Sequence, residues 1–196
     1  SILCAPYGCN YLVAWFGTII CKRQAMGVRV LRTYEQIDKR QWAQLARESS
    51  TATWWQTEEA YRLLSSLLDY RVEVVGVAEE EELCGVAVIM RPQARTKIGQ
   101  WLSRRAVIMG GVMVSDDISA EAYCRLMAAI KEQTSDTIYV EIRNLCDHSA
   151  WREVMEACGW WYMPHLNIRI DTTSAQAAIS RIGKSKRRRI DSSVQK

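Results

Sequence analysis

The chain has 196 residues, 48% hydrophobic and 24% charged, the composition of a globular protein long enough for one full domain or for one domain and part of another. No apolar run reaches the roughly 18 residues of a membrane span, which argues against a chain embedded in a bilayer. The net charge of +4 is segregated, with +6 on residues 181–196 and −2 on the rest, so the affinity for anions that a basic protein implies belongs to the tail alone.

Residues 1–25 differ in composition from the rest of the chain. They hold Cys4, Cys9, Cys21 and Phe16 and no acidic residue, and Tyr11 to Ile20 is an apolar run of signal-peptide length with Lys22 and Arg23 behind it rather than before it. The expectation is a leader or upstream read-through without structure, with Met26 as the natural start; a membrane anchor is the other reading of the run. From Val28 a strand (28–32) leads to a helix over 38–48, with Asp38 as N-cap and Trp42, Leu45 and Ala46 on one face. A polar link, Ser49 to Thr53, precedes Trp54-Trp55-Gln56, and Thr57 caps a helix over 58–69 whose apolar positions include Ala60, Leu63, Leu64, Leu67 and Leu68. A long hairpin comes next: Val72 to Ala78, the acidic turn Glu79 to Glu82, and Leu83 to Met90. Lys97 to Leu102 reads as the next strand.

Ala106-Val107-Ile108-Met109 is short, unbroken and rich in branched side chains, as in a strand buried on both faces. It breaks at Gly110-Gly111, where the backbone is free to turn sharply or admit a close neighbour. Val112 to Val114 then opens into Ser115-Asp116-Asp117, a cap for a helix over 118–132. Thr137 to Arg143 is a strand with Glu141 and Arg143 on one face. Trp151 to Ala157 is a short helix stopped by Gly159, and 160–163 and 166–170 read as two strand arms broken at Pro164. The order implies an α/β domain over 26–172, one mixed β-sheet flanked by helices. Residues 173–196 begin with a helix (174–182), run into Lys184, Lys186, Arg187, Arg188 and Arg189, and read as the basic start of a truncated second domain.

Seven cysteines without a C-x-x-C pair or a Cys/His cluster give no zinc signature. Cys84, Cys124, Cys146 and Cys158 lie among apolar neighbours and read as small core residues, in keeping with a reducing cytoplasm. His148 and His165 have no Ser or Cys partner at a recognisable spacing and read as structural. No Q/R-x-x-G-x-G/A loop, the cradle for an acyl-CoA pyrophosphate, is present.

An ordered set of motifs carries a resemblance: Trp42; T-W-W-Q-T (Thr53–Thr57); E-L-C-G-V (Glu82–Val86); S-R-R-A-V-I-M-G-G (Ser103–Gly111); Y-V-E-I-R-N (Tyr139–Asn144); A-C-G-W (Ala157–Trp160); P-H-L-N (Pro164–Asn167); and G-K-S-K-R-R-R-I (Gly183–Ile190). Together, over about 26–190, they resemble the FemAB-type aminoacyltransferases. Two positions depart from that pattern: Val112 stands where Pro often follows the glycines, and Asp191-Ser192-Ser193 follows the basic run in place of Arg and an amphipathic helix. The resemblance implies a GNAT-like (acyl-CoA N-acyltransferase type) fold, normally present twice per chain. It also implies transfer of an amino acid from aminoacyl-tRNA to an amine of a peptidoglycan precursor, UDP-linked or lipid-linked, with no cofactor and no metal. The location implied is cytoplasmic, at the inner face of the membrane when the substrate is lipid-linked.

Such a reaction needs a carboxylate to take the proton of a lysine-type amine and a donor to hold the oxyanion. Asp116 and Asp117 match the place where the family carries an acidic residue near substrate, and Glu141 ends a strand beside them; capping for the first two and a Glu–Arg pair on the strand for the third are the plain readings. Trp55, Gln56, Arg143 and Asn144 are the expected lining of the cleft, with core packing as the other reading of the tryptophan. Lys184, Lys186, Arg187, Arg188 and Arg189 would hold the diphosphate or carboxylates of the precursor, as the family uses a basic helix start here; a solvated tail is the alternative. Two other functions remain open on sequence: an acyl-CoA-dependent (acetyl-CoA or longer) N-acyltransferase of the same fold, and a non-catalytic fragment whose tail binds RNA or anionic surfaces.

Overall fold

The computed structural model describes residues 27–93 and 104–167, the backbone of 8–14, and 173, 174, 176, 179, 180, 182–186 and 188 of the tail. The expected strand at 97–102 and residues 175, 177, 178 and 181 of the expected helix at 174–182 lie outside the described residues. The fold is α/β, a single mixed sheet flanked by helices. The chain divides into two units, 1–166 and 167–196.

The strands are β1 (Gly8–Ala14), β2 (Val28–Leu31), β3 (Tyr70–Glu79), β4 (Glu82–Pro92), β5 (Arg105–Gly110), β6 (Met113–Val114), β7 (Tyr139–Asn144) and β8 (Trp161–Leu166). Their order is β2-β3-β4-β5-β7-β1-β8, with β6 paired to β4. Among the described strands only β5 and β7 run parallel, in register from Arg105↔Tyr139 to Gly110↔Asn144. The helices are α1 (Lys39–Glu48), α2 (Glu58–Ser65), α3 (Ala120–Gln133) and α4 (Arg152–Ala157).

Alternation along the strands makes two cores. Val75, Val77, Ala87, Ile89, Ala106, Ile108, Val140 and Ile142 face α3 and Met155 of α4. Val74, Ala78, Val86, Val88 and Met90 face Trp42 and Leu45 of α1 and Ala60 and Leu64 of α2. Asp38 caps α1 by accepting from the Arg40 and Gln41 amides, and Thr57 caps α2, both as expected.

Several expectations are corrected. Residues 8–14 are not without structure: they form β1, antiparallel to both β7 and β8. α2 stops at Ser65 instead of 69; Ser66 turns its hydroxyl onto the Leu63 carbonyl, and Leu63, Leu67 and Leu68 end exposed. Pro164 does not divide the last strand, because β8 is the terminal strand of the sheet and its missing N–H breaks no inner ladder. Cys124 and Cys158 are not separate thiols but a disulfide.

The sheet is discontinuous at its centre. β4 pairs with β5 only at Met90↔Val107 and with β6 only at Gly85↔Val114 and Val86↔Met113. Between them Gly110 and Gly111 take φ of +84° and +90°. The link between α1 and α2 supplies the bonds that this break removes. Ser49 Oγ donates to the Val114 carbonyl (2.5 Å), and Thr51 Oγ1 accepts from the Val114 amide (3.0 Å). Gln56, fully buried, accepts from the Val88 amide and donates to the Met109 carbonyl, both at 2.7 Å, while its own carbonyl receives Trp42 Nε1 at 2.8 Å. Replacing Gln56 by Leu strands a buried donor on β4 and a buried acceptor on β5. The expected loss is about 2–4 kcal/mol in urea unfolding, and Gln56→Glu is expected to lose at least as much, because a buried carboxylate oxygen would face the Met109 carbonyl.

Candidate active site at the divergence of β5 and β7

Beyond Gly110 and Asn144 the two parallel strands separate. The Leu145 amide makes one last bond to the Gly110 carbonyl; β5 then turns through the glycines to β6, and β7 leads into the turn before α4. Divergence of neighbouring strands at their carboxyl ends is where open α/β sheets bind ligands. Three separate motifs meet there. A Cβ on Gly110 would collide with Thr53, and one on Gly111 would lie 2.5 Å from Asn144 Oδ1. The same space at Gly110 is bounded by Trp55 Cβ. The glycines are therefore required both for positive φ and for close approach.

Around this point Trp55 is half-buried beside the α1/α2 core and Asn144 is buried. Glu141 binds Arg143 through two bonds of 3.0 Å, and Arg143 Nη1 reaches Met109 Sδ at 3.9 Å. The Glu141 side chain is 18% exposed and that of Arg143 37%, so the pair faces a partly open surface. Thr53 Oγ1 is buried with no hydrogen-bond partner among the described residues. Thr53 lies in T-W-W-Q-T, but nothing in the sequence marks its hydroxyl as one of those left without a partner. Gln56, expected in the cleft, is instead consumed by the sheet.

Asp116 and Asp117 lie elsewhere. They line a cleft of about 960 Å³ between α1, the β3–β4 turn and the β6–α3 link, together with Glu48, Glu79, Glu80 and Glu82, and none of its lining residues is basic. Neither aspartate caps α3. Ser119 does so, and Glu79 accepts from the Ser119 amide (3.3 Å) and hydroxyl (2.5 Å). Asp116 accepts from the Ser50 hydroxyl (2.7 Å) and amide (3.0 Å), and these bonds hold its carboxyl below the usual range. Asp117 accepts from Ser115 Oγ. The predicted residues of unit 1–166 thus form two groups, linked by the polar stretch 49–53 that touches Asp116 at one end and Gly110 at the other.

In the tail, Lys184, Lys186 and Arg188 are exposed; Arg187 and Arg189 lie outside the described residues. His148 is fully buried, which pushes its imidazole down to about 4 and keeps it neutral, while His165 is exposed. Among the described residues no cluster of His, Cys, Asp and Glu is placed to hold a metal, and no helix is long and apolar enough to cross a membrane.

No protein-family model and no curated protein sequence matches this chain. Among solved structures it is similar to a GNAT-family protein from Novosphingobium aromaticivorans DSM 12444, with TM-score 0.48 and 12% identity over 83% of this chain and 66% of that one. It is also similar to a tandem GNAT protein from the clavulanic acid biosynthesis pathway, with TM-score 0.46 and 11% identity over 82% of this chain and 51% of that one. The chain spans less than two thirds of the length of either.

The sign of the Asp116 effect is set by its lowered pKa. Its contribution to stability is fully present above the ordinary aspartate value of about 3.9 and is lost as pH falls through the lower folded value. Ser50→Ala is expected to raise the Asp116 pKa toward that ordinary value in a carboxyl-carbon NMR titration and to flatten the acid limb of stability below about pH 4.

Proposed function

We propose that this chain is an N-acyltransferase-type domain that takes an aminoacyl group from aminoacyl-tRNA and passes it to an amine of a peptidoglycan precursor. The observation that carries the reading is the break at Gly110-Gly111, with Thr53, Trp55 and Asn144 closed around it at the divergence of two parallel strands. In this reading the ester carbonyl lies at the break and the Thr53 hydroxyl donates to its developing oxyanion. The acceptor ammonium is drawn in by the carboxylates of the acidic cleft, where Asp116 stays ionised. Glu141, on β7, which runs parallel to the strand that ends at the glycines, takes the amine proton; attack then forms the amide and expels the tRNA hydroxyl. Lys184, Lys186 and Arg187–Arg189 hold the precursor's diphosphate or carboxylates.

One observation favours this reading over the acyl-CoA alternative. An acyl-CoA pyrophosphate seated at the α3 N-terminus would meet Glu79, already bonded to Ser119, with Asp116 and Asp117 in the link before it. Three carboxylates at an anion position favour a donor other than a nucleotide thioester.

The full chain, given aminoacyl-tRNA and a UDP-linked muramyl pentapeptide, is expected to yield the aminoacylated peptide by mass spectrometry and to give no product from acetyl-CoA. Glu141→Gln is expected to lower the rate by about 10²-fold or more. Calorimetry is expected to give micromolar precursor binding, weakened about tenfold or more when Arg187, Arg188 and Arg189 become alanine. Product from acetyl-CoA and none from aminoacyl-tRNA would overturn the donor assignment. Weak binding of every polyanion, falling steeply with salt and without preference for the precursor, would point to the non-catalytic reading.

A further inference from the structure

The Cys124–Cys158 bridge spans a separation of 34 residues, with a Cα–Cα distance of 6.2 Å. Within that loop lie the second half of α3, all of β7, the turn after it and α4. β7 carries Glu141, Arg143 and Asn144. α3 is anchored independently, because Ala122, Tyr123, Leu126, Met127, Ala129 and Ile130 are buried against the sheet. α4 has six residues, of which only Met155 is buried, and is too short to persist without its tertiary ties. Among the ties from its end to α3 are the disulfide and Lys131 Nζ, which donates to the Cys158 and Gly159 carbonyls at 2.7 Å each.

The bridge is open to exchange. Cys124 and Cys158 are both only half-buried. Cys84 gives the internal contrast: it is buried, its S–H points at the Val77 carbonyl, and burial pushes its thiol up to about 12. Partly exposed couples are the ones that exchange with small thiols, and in a reducing compartment bridges of this kind are transient rather than permanent.

We propose that Cys124 and Cys158 form a redox-responsive clasp that fixes the β7–α4 half of the candidate site when oxidised and loosens it when reduced. In closing, one protein thiolate attacks a low-molecular-weight disulfide and releases one small thiol. The second protein thiolate then displaces the other small thiol and forms the Cys124–Cys158 bond. Two electrons and two protons pass from the protein to the small disulfide, and a small dithiol reverses the exchange.

The test uses the full chain equilibrated in mixtures of oxidised and reduced glutathione, then alkylated and digested. The expected result is that Cys124 and Cys158 convert together as one two-electron couple while Cys84 stays a thiol. Hydrogen exchange over 139–157 is expected to be about tenfold faster in the reduced form, with β3 and β4 unchanged. A Cys124→Ser, Cys158→Ser double variant is expected to match the reduced form in both mixtures. No bridge at any ratio, or equal exchange over 139–157 in both states, would overturn the clasp. The effect on ligand binding rests on the function proposed above: precursor affinity is expected to fall about tenfold on reduction. Exchange that responds to redox state in a chain that binds no precursor in either state would sustain the clasp and count against that function.

Discussion

The amide of Gln56 is the bond on which the centre of this molecule depends. A sheet whose middle strand leaves its ladder for two residues exposes backbone groups that no neighbour satisfies. Gln56 takes a donor from β4 and an acceptor from β5 at once, and Ser49 and Thr51 do the same for β6. Because these groups lie on one short link between α1 and α2, that link is drawn along the broken strand and delivers Thr53 and Trp55 to the glycines. The break, its repair and the candidate site are thus one arrangement. A continuous β5 would have left neither the divergence from β7 nor the space that the glycines keep.

Charge divides the functional surfaces. The cleft beside α1 gathers carboxylates, and one of them, Glu79, already occupies the N-terminus of α3. Near the glycine break the charge is balanced, since Glu141 and Arg143 neutralise each other in a bidentate pair. The positive charge is concentrated after residue 180. A cationic group is therefore favoured in the cleft, and phosphate or carboxylate on the tail.

Much of this was legible in the residues, and the parts that were not have physical causes. The caps at Asp38 and Thr57, the hairpin and the glycine break arise from local chemistry, and the structure places them as read. Glu141 and Arg143 were readable as neighbours because a strand repeats every two residues. What spacing does not show is competition for a polar group. Gln56 looked like a ligand-binding amide, and only the gap between β4 and β5 reveals why it is spent on the backbone. Asp116 and Asp117 looked like caps for α3, but Ser119 lies nearer the first helical turn and Asp116 binds Ser50 instead. Tertiary pairing also hid β1, since an apolar segment of few charges becomes a strand only where two others leave it a place, and it hid the Cys124–Cys158 contact across 34 residues.

The most direct measurement is hydrogen exchange on the full chain with and without a UDP-linked muramyl peptide and an aminoacyl donor analogue. If ligands bind where β5 and β7 diverge, protection will rise at 53–56, 110–112 and 141–145 while β2 and β3 hardly change. Protection confined to the tail, or spread over segments away from the glycines, would contradict the assignment of the site.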